Sequence, residues 1–178
     1  MIATTRPIAS RSAAVRLGES VFKELGLIVP TDLGQVAKHL KATVLEEPAP
    51  AGVSGALVMK DGKPIVLANS GHVPVRRRFT IAHELGHLAM HVDPQDWKRA
   101  TRVVLFRDAR ASQGVVRREI QANAFAAGLL MPQTEVRRRV VQPLGHMDVD
   151  DIQELADQFQ VSTEAMTVRL KDLGLWAA

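Results

Sequence analysis

The chain contains no cysteine and no tyrosine, and aromatic residues make up only 4% of it. Without cysteine it has no disulfide, no thiolate-bound metal and no cysteine nucleophile. It also lacks an apolar run near the ~20 residues that a membrane span needs, because long apolar stretches such as residues 122–132 are interrupted, here by Asn123. Any metal site or active site must therefore be built from His, Asp, Glu, Ser, Lys or Arg side chains.

The rest of the composition is that of an ordinary soluble globular protein. Its 178 residues are 46% hydrophobic and 24% charged, which suits one domain with a small appended unit. The 23 basic and 19 acidic residues give a net charge of +4, which is weak evidence for nucleic-acid contact. We interpret residues 1–11 as a disordered N-terminus and expect a cytoplasmic protein.

Hydrophobic periodicity and turn residues predict an α+β chain. A short strand at 43–45 precedes strands 56–60 and 64–68, which flank the hairpin dipeptide Asp61-Gly62. A loop is predicted at 108–114 and a chain break at 143–145. The predicted helices cover residues 12–25, about 31–40, 74–91, 96–106, 115–131, 148–159 and 162–173.

The most informative segment is His83-Glu84-Leu85-Gly86-His87, a His-Glu-x-x-His pattern on a predicted helix. Residues four apart lie on one helical face, so both imidazoles can point at the same ion. Glu84 follows His83 and can take a proton from a metal-bound water instead of binding the metal. The alternative is two surface histidines and a solvated glutamate, which is the weaker interpretation in a chain with only 6 histidines.

A catalytic zinc site needs a third protein ligand, and three residues are candidates. His91 is eight residues from His83, about 12 Å along a helix axis, so it is expected to support a ligand or to lie at the helix end. Asp93 occupies the third-ligand position of the metzincin pattern, but Met90 stands where that pattern needs a glycine to turn the chain.

Glu119 is the third candidate and lies on the predicted helix 115–131. Ala122, Asn123 and Ala126 share its helical face, and small residues after a carboxylate let one helix approach another closely. Asn123 could hydrogen-bond a metal ligand. The alternative is a core helix in which Glu119 pairs with an arginine, and the His-Glu-x-x-His segment favours the ligand interpretation over it.

Two motifs together resemble the ImmA/IrrE family of metallo-endopeptidases. They are Arg-Phe-Thr-Ile-Ala-His-Glu-Leu-Gly-His at 78–87 and Glu-x-x-Ala-Asn-x-Phe-Ala-x-x-Leu-Leu-Met-Pro at 119–132. Ser54-Gly55-Ala56, the hairpin after it and Asn69 also resemble the family. The similarity runs from about residue 12 to about residue 175.

The resemblance implies a gluzincin-like zinc peptidase with a zincin-like fold, mostly helical with a small β-sheet beside the metal-binding helix. His83, His87 and Glu119 would be the ligands of Zn²⁺, with Mn²⁺ as an alternative, and Glu84 the catalytic acid/base. Members of the family act on helix-turn-helix repressors and relieve repression in stress responses or mobile-element induction. Many carry a further DNA-binding or sensor domain, which we do not expect in a chain of this length.

The implied mechanism is metal-assisted hydrolysis of a peptide bond. Zinc lowers the pKa of its water and polarises the scissile carbonyl, while Glu84 moves the proton from the water to the leaving amine. An edge of the 56–68 hairpin could hold the substrate as an added strand. Because no tyrosine is available to stabilise the oxyanion, a histidine, an arginine, a backbone amide or zinc alone must do so, and His72, His91 and His146 are the candidate histidines.

The C-terminal helices raise a competing hypothesis for the function of the chain. Residues 148–159 and 162–173 resemble a helix-turn-helix, as in a DNA-binding or repressor-binding regulator with a non-catalytic metal site. Residues 148–164 hold six acids and no base, which disfavours contact with phosphates. We therefore expect residues 143–178 to be a helical subdomain packed on a metallopeptidase domain at 12–142.

We interpret three arginine runs as solvated helix faces: Arg76-Arg77-Arg78, Arg117-Arg118 and Arg137-Arg138-Arg139. The alternative is a basic surface that docks an acidic segment of the substrate, or DNA beside it. A toxin–antitoxin-like component is a third hypothesis for the whole chain. Neither direct nucleic-acid binding nor a membrane partner is expected.

Overall fold

The computed structural model describes residues 10–92, 113–140 and 147–176. The α+β prediction is confirmed within them. None of the helices described is both long and apolar enough to cross a membrane. In chain order the elements are α1 (Arg11–Glu24), α2 (Leu33–His39), β1 (Thr43–Glu47), β2 (Gly55–Lys60), β3 (Lys63–Asn69), α3 (Pro74–His91), α4 (Gln113–Leu130), α5 (Gln133–Arg139), α6 (Val149–Phe159) and α7 (Thr163–Asp172).

The predicted elements differ from these in a few places. Helix α5 was not among the predicted helices, because Pro132 was interpreted as the end of a helix, whereas in the structure it immediately precedes a new one. The loop predicted at 108–114 overlaps the start of α4 at Gln113. The helix predicted at 96–106 lies outside the described residues.

Polar caps fix where four of the helices begin. The Ser10 side chain accepts a hydrogen bond from the Ala13 amide at the start of α1, and Asp32 and Ser162 cap α2 and α7 in the same way. At α6, Asp148 forms a reciprocal capping box with its N3 residue. A Ser or Asp side chain before a helix accepts a hydrogen bond from a first-turn amide that has no partner within the helix. The sequence therefore indicates where these helices begin.

The three strands form one mixed sheet in the order β1-β3-β2. Strands β2 and β3 pair antiparallel around Asp61 and Gly62, whose φ angles of 49° and 71° suit a type I′ hairpin turn. Strand β1 pairs parallel with β3, with Thr43 opposite Ile65. The predicted hairpin is therefore confirmed, and β1 continues beyond its predicted end to Glu47.

Helix α3 packs against the sheet at a point where Gly55 leaves room for it. A Cβ at Gly55 would lie 2.3 Å from Thr80 Cγ2 and 2.6 Å from the Leu67 carbonyl oxygen. The buried side chains of the sheet and of α3 belong to one hydrophobic core, which continues into α4 and the C-terminal helices. The sheet thus provides a fixed base for α3, the helix that carries the His-Glu-x-x-His segment.

Helix α1 supports α4 through two glycines. A Cβ at Gly18 would lie 2.3 Å from the Phe125 carbonyl oxygen, and a Cβ at Gly128 would lie 2.2 Å from the Val15 carbonyl oxygen. Both distances are far shorter than carbon–oxygen contact allows, so the two backbones approach each other only because neither position has a side chain.

Helices α6 and α7 join the same core, and an arginine anchors them to the rest of the chain. Arg169 is only 4% exposed; its Nε donates to the Met131 carbonyl oxygen at 2.9 Å, and its Nη2 pairs with Glu19 of α1. Arg11 of α1 pairs with Asp172 of α7. The division of the chain at residues 142 and 143 stays a prediction, because residues 141–146 are not described.

Replacing Gly128 by Ala should destabilise the protein through the α1–α4 contact. Alanine favours a helix over glycine by about 1 kcal/mol, but its Cβ would collide with backbone, and such overpacking costs about 1–3 kcal/mol or more. We expect a net loss in the free energy of unfolding, measured by urea titration. The control is S20A on the exposed face of α1, which should be neutral or stabilising; equal stabilities of G128A and the wild type would contradict the contact.

Candidate metal centre

Helix α3 brings the two histidines of the His-Glu-x-x-His segment together. The Nε2 atoms of His83 and His87 lie 3.0 Å apart. Glu119 reaches them from α4, with Oε2 3.2 Å from His83 Nε2 and Oε1 3.1 Å from His87 Nε2. Three side chains from two helices therefore present their donor atoms to one point.

The reach of Glu119 depends on a close contact between α3 and α4. A Cβ at Gly86, between the two histidines, would lie 3.0 Å from Phe125 Cδ1 and 3.3 Å from the Ala122 carbonyl oxygen. Glycine on α3 therefore faces Ala122 on α4, and the two helices lie close enough for a glutamate side chain to span the gap. Ala122, on the face of small residues after Glu119, thus lies at the contact between α3 and α4.

The spacing of the donor atoms fits a single metal ion. Donors at about 2 Å from a tetrahedral ion lie about 3.3 Å apart. The two imidazole nitrogens lie 3.0 Å apart, and each lies 3.1–3.2 Å from one of the two Glu119 oxygens. Within the described ranges, His83, His87 and Glu119 are a group of side chains that could hold a metal ion. The His87 side chain is 3% exposed and that of Glu119 is 43% exposed, so the group opens to solvent on the Glu119 side.

The outer ring nitrogen of His83 is held by Asn123. His83 Nδ1 lies 2.8 Å from Asn123 Oδ1. An amide oxygen only accepts, so the ring carries its proton on Nδ1 and leaves the Nε2 lone pair facing the centre. Asn123 thus fixes the tautomer that metal binding requires.

A series of hydrogen bonds through His91 and Gln121 fixes the tautomer of His87 in the same way. His87 Nδ1 lies 3.0 Å from His91 Nδ1, and His91 Nε2 lies 3.0 Å from Gln121 Oε1. Since the Gln121 oxygen accepts from His91 Nε2–H, His91 Nδ1 is left to accept from His87 Nδ1–H. His87 Nε2 is therefore unprotonated on the side of the centre. Gln121 was not recognised in the sequence, where its place among the alanines of the predicted helix was the available signal. In the structure its side chain is buried.

Burial favours the neutral form of His87 and His91. Desolvation lowers the pKa of His87 to about 3, with the neighbouring His83, His91 and Arg118 adding to the effect. Burial also lowers the pKa of His91, although its hydrogen bond to Gln121 acts in the opposite direction. A neutral imidazole is the form that binds a metal, so the shift of His87 favours metal binding. A neutral His91 keeps the Nδ1 lone pair that accepts from His87.

The remaining predicted site residues are not among the three donor side chains. Glu84 follows His83 on α3 and is 9% exposed, so its side chain is largely shielded from solvent. His72 precedes α3 in a turn, where its amide donates to the Asn69 carbonyl oxygen, and it is not part of the donor group. Asp93 and His146 lie outside the described residues.

The arginine runs at the ends of α3 and α5 have partners within the chain. Arg76, Arg77 and Arg78 contact the Ser54 hydroxyl, the Glu46 carboxylate and the Thr31 carbonyl oxygen. Arg137 donates to the Leu173 carbonyl oxygen, and Arg138 and Arg139 pair with Glu135. These contacts give the six arginines structural roles. Arg76, Arg78 and Arg137 contact only uncharged oxygens, and Arg138 is 67% exposed, so the basic docking surface stays a hypothesis.

The family model of the IrrE N-terminal-like domain, Peptidase_M78, matches residues 37–171. The match covers well over half of the chain, so this protein belongs to the Peptidase_M78 family, and the resemblance to ImmA/IrrE proteins is confirmed. No curated protein matches the chain.

A solved structure of a Mycobacterium tuberculosis transcriptional regulator has the same fold, with a TM-score of 0.62 and 22% sequence identity. The match covers 90% of this chain and 46% of the regulator, so this chain spans about half of the regulator's length. At this identity the likeness establishes the fold alone.

Acid should destabilise the metal-free protein before its carboxylates titrate. The folded state keeps His87 neutral down to about pH 3, whereas the unfolded chain takes up the proton below about pH 6.5. The free energy of unfolding is therefore highest above that pH and should fall by about 1 kcal/mol per pH unit between about pH 6 and pH 5. Urea titrations of the metal-free protein should show this slope, and H87Q should reduce it. The H39Q control should keep it, and a wild type with no slope would refute the buried neutral histidine.

Removing the Gln121 acceptor should weaken metal binding. In Q121L the His91 ring loses its partner and no longer fixes the tautomer of His87, and such changes typically cost about 10–100-fold in metal affinity. Q121E retains an acceptor and should retain affinity, as should the exposed control Q158L. Zinc affinities from competition with a chromophoric chelator test this, and wild-type affinity in Q121L would show that the chain of hydrogen bonds is dispensable.

Proposed function

We propose that this chain is a zinc-dependent endopeptidase that cleaves a regulatory protein, and that the substrate is a helix-turn-helix repressor. The observation that carries the proposal is the convergence of two imidazoles and one carboxylate at 3.0–3.2 Å, with Glu84 in the same helical turn. Two histidines with one carboxylate form the protein donor set of catalytic zinc sites, which leave a coordination position open.

In this proposal His83, His87 and Glu119 bind the metal, and zinc suits the donor set better than the alternative Mn²⁺. When bound, zinc would supply Lewis-acid activation of the water and of the scissile carbonyl. Asn123 and His91 hold the two imidazoles in the tautomer that ligation needs, as their hydrogen bonds support.

Glu84 is the proposed general base and acid. Its carboxylate accepts a proton from the attacking water as the water oxygen bonds to the scissile carbonyl carbon, and then delivers that proton to the leaving amine nitrogen. Its burial supports this role, because a carboxylate away from bulk water exchanges its proton with the substrate rather than with solvent.

The metal, when bound, would also stabilise the oxyanion. His91 is a poor candidate because both of its ring nitrogens already have hydrogen-bond partners, so we assign it to positioning His87. His72 and His146 remain candidates for a donor to the oxyanion.

The proposal of a helix-turn-helix repressor as substrate rests on the family. The Peptidase_M78 match supports a peptidase with a regulatory role, and the Mycobacterium tuberculosis protein of the same fold is named a transcriptional regulator.

The second candidate function is a DNA-binding or repressor-binding regulator with a non-catalytic metal site. Helices α6 and α7 flank a tight turn in which Gln160 has a φ of 52°, which gives them a helix-turn-helix-like outline. The cations of α7 disfavour DNA contact: Arg169 is buried against Glu19, and Lys171 lies over the Trp176 ring at 4.8 Å. A toxin–antitoxin-like role has no specific support among the described contacts.

Replacing Glu84 by Gln should separate catalysis from metal binding. Loss of a general base costs about 10²–10⁴-fold in rate, while the three ligands are unchanged. We expect E84Q to retain one zinc per chain and to lose the cleavage of a helix-turn-helix repressor that the wild type performs, with the products followed by mass spectrometry.

The matched control is E24Q at the end of α1, which should cleave like the wild type. Cleavage by E84Q would overturn the role of Glu84. Salt-sensitive DNA binding by the wild type, with no cleavage and no effect of a chelator, would support the second candidate function instead.

A further inference from the structure

Arg118 is an exposed cation at the edge of the candidate metal centre. It directly precedes Glu119 on α4, and its side chain is exposed. Its positive charge contributes to lowering the pKa of both His87 and His91, so the guanidinium lies close enough to act on both rings. Arg118 therefore places a positive charge beside Glu119, whose side chain is 43% exposed.

Arg118 has no acidic partner on its own helix. Side chains three and four positions apart pair on a helix surface, and around Arg118 these positions hold Gly114, Val115, Gln121 and Ala122. The ion pairs formed among the described residues do not include Arg118. Two arginines at the end of α5 differ in this respect, because they share a glutamate three and four positions away.

The two polar side chains that follow Arg118 on α4 face the histidines instead. Glu119 is the one acidic residue in the sequence of α4, and its two oxygens lie 3.2 and 3.1 Å from histidine Nε2 atoms. Gln121 Oε1 lies 3.0 Å from His91 Nε2. Within the part of the chain that the structure describes, the charge of Arg118 is thus left for an anion that comes from outside.

A single arginine in this position suits a carboxylate better than a nucleic acid. A guanidinium binds one carboxylate through two parallel hydrogen bonds. Binding to a phosphate backbone draws its strength from several cations together, and the two cations of α7 are engaged with Glu19 and with the Trp176 ring. The group that fits Arg118 is therefore one carboxylate, brought to the metal centre by a peptide.

We propose that Arg118 binds an acidic side chain of the peptide substrate close to the scissile bond. This inference rests on the proposed peptidase function and adds a substrate class to it. An exposed ion pair favours binding by up to about fivefold. Arg118 is thus the residue that selects Glu or Asp over uncharged or basic residues at one position of the substrate.

The first test compares peptide substrates that differ at one position. In a peptide that the wild type cleaves, each residue within three positions of the scissile bond is replaced in turn by Glu, Gln or Lys. At one of these positions the Glu peptide should exceed the Gln peptide about fivefold in kcat/KM. The preference should shrink in about 0.5 M NaCl, because salt screens an exposed ion pair.

Two variants assign that preference to Arg118. R118Q should remove it, and R118E should reverse it in favour of the Lys peptide, because the charge on the helix has changed sign. R117Q is the matched control and should keep the preference. Arg117 is likewise exposed but lies about 160° round the helix axis from Glu119, against about 100° for Arg118. Equal loss of preference in R117Q and R118Q would contradict a specific role for Arg118.

The second test measures binding without cleavage. The zinc-loaded E84Q chain with ¹⁵N-labelled arginine is titrated with the acetylated tripeptide amides Ala-Glu-Ala and Ala-Gln-Ala. The Glu probe should shift the Nε–H resonance of Arg118 and not that of Arg117, and the Gln probe should shift neither. Adding R118Q to this chain should weaken the Glu probe about fivefold. Undiminished binding, as from a carboxylate held by the metal alone, would overturn the proposal.

The outcomes separate this proposal from the proposed function. A shift of the Arg118 resonance by the Glu probe, in a protein whose wild type has no peptidase activity, would remove the proposed function and leave Arg118 as a carboxylate-binding residue. Cleavage without a charge preference that depends on Arg118 would overturn the role of Arg118 and leave the peptidase intact. Salt-sensitive binding of a DNA duplex that R118Q abolishes would assign Arg118 to nucleic acid and likewise overturn it.

Discussion

The close approach of α4 to α3 is the constraint on which the candidate site depends. Two of the three donor atoms come from α3 and the third from α4, so a metal can be held only if the helix separation matches the reach of one glutamate. Gly86 against Ala122 and Phe125 sets that separation on one side. On the other side, Gly18 and Gly128 seat α1 directly on the α4 backbone. Larger residues at these glycines would move the carboxylate away from the imidazoles.

Helix packing sets the distance between the ligands, and the residues behind them orient the two imidazole rings. Asn123 and the His91–Gln121 pair give each imidazole one hydrogen-bond partner on its outer nitrogen, so both rings present a lone pair to the same point. Burial of His87 keeps it uncharged, which favours a metal over a proton. The same burial predicts that the metal-free protein is sensitive to acid, so the proposed metal binding and the expected pH dependence of stability have one physical origin.

Patterns that are local in sequence predicted most of the fold. The hairpin followed from Asp61-Gly62, and the shared face of His83 and His87 followed from helical spacing. Glu119 was inferred from its position before small residues, without knowledge of how α4 lies on α3. The parallel pairing of β1, the hydrogen bonds of Gln121 and the burial of Arg169 were not predicted, because each depends on residues far apart in the chain. The α5 helix was missed because Pro132 was taken as an end rather than as the residue before a new helix.

The binding of one catalytic metal ion by His83, His87 and Glu119 is tested most directly by anomalous X-ray diffraction. The measurement is made at the zinc edge, on crystals of the chain reconstituted with equimolar zinc. We expect one peak at about 2.0–2.2 Å from both histidine Nε2 atoms and a Glu119 oxygen, with a solvent molecule as the remaining ligand. A peak elsewhere, no peak in a folded chain, or a fourth protein side chain closing the site would contradict a catalytic metal centre at these residues.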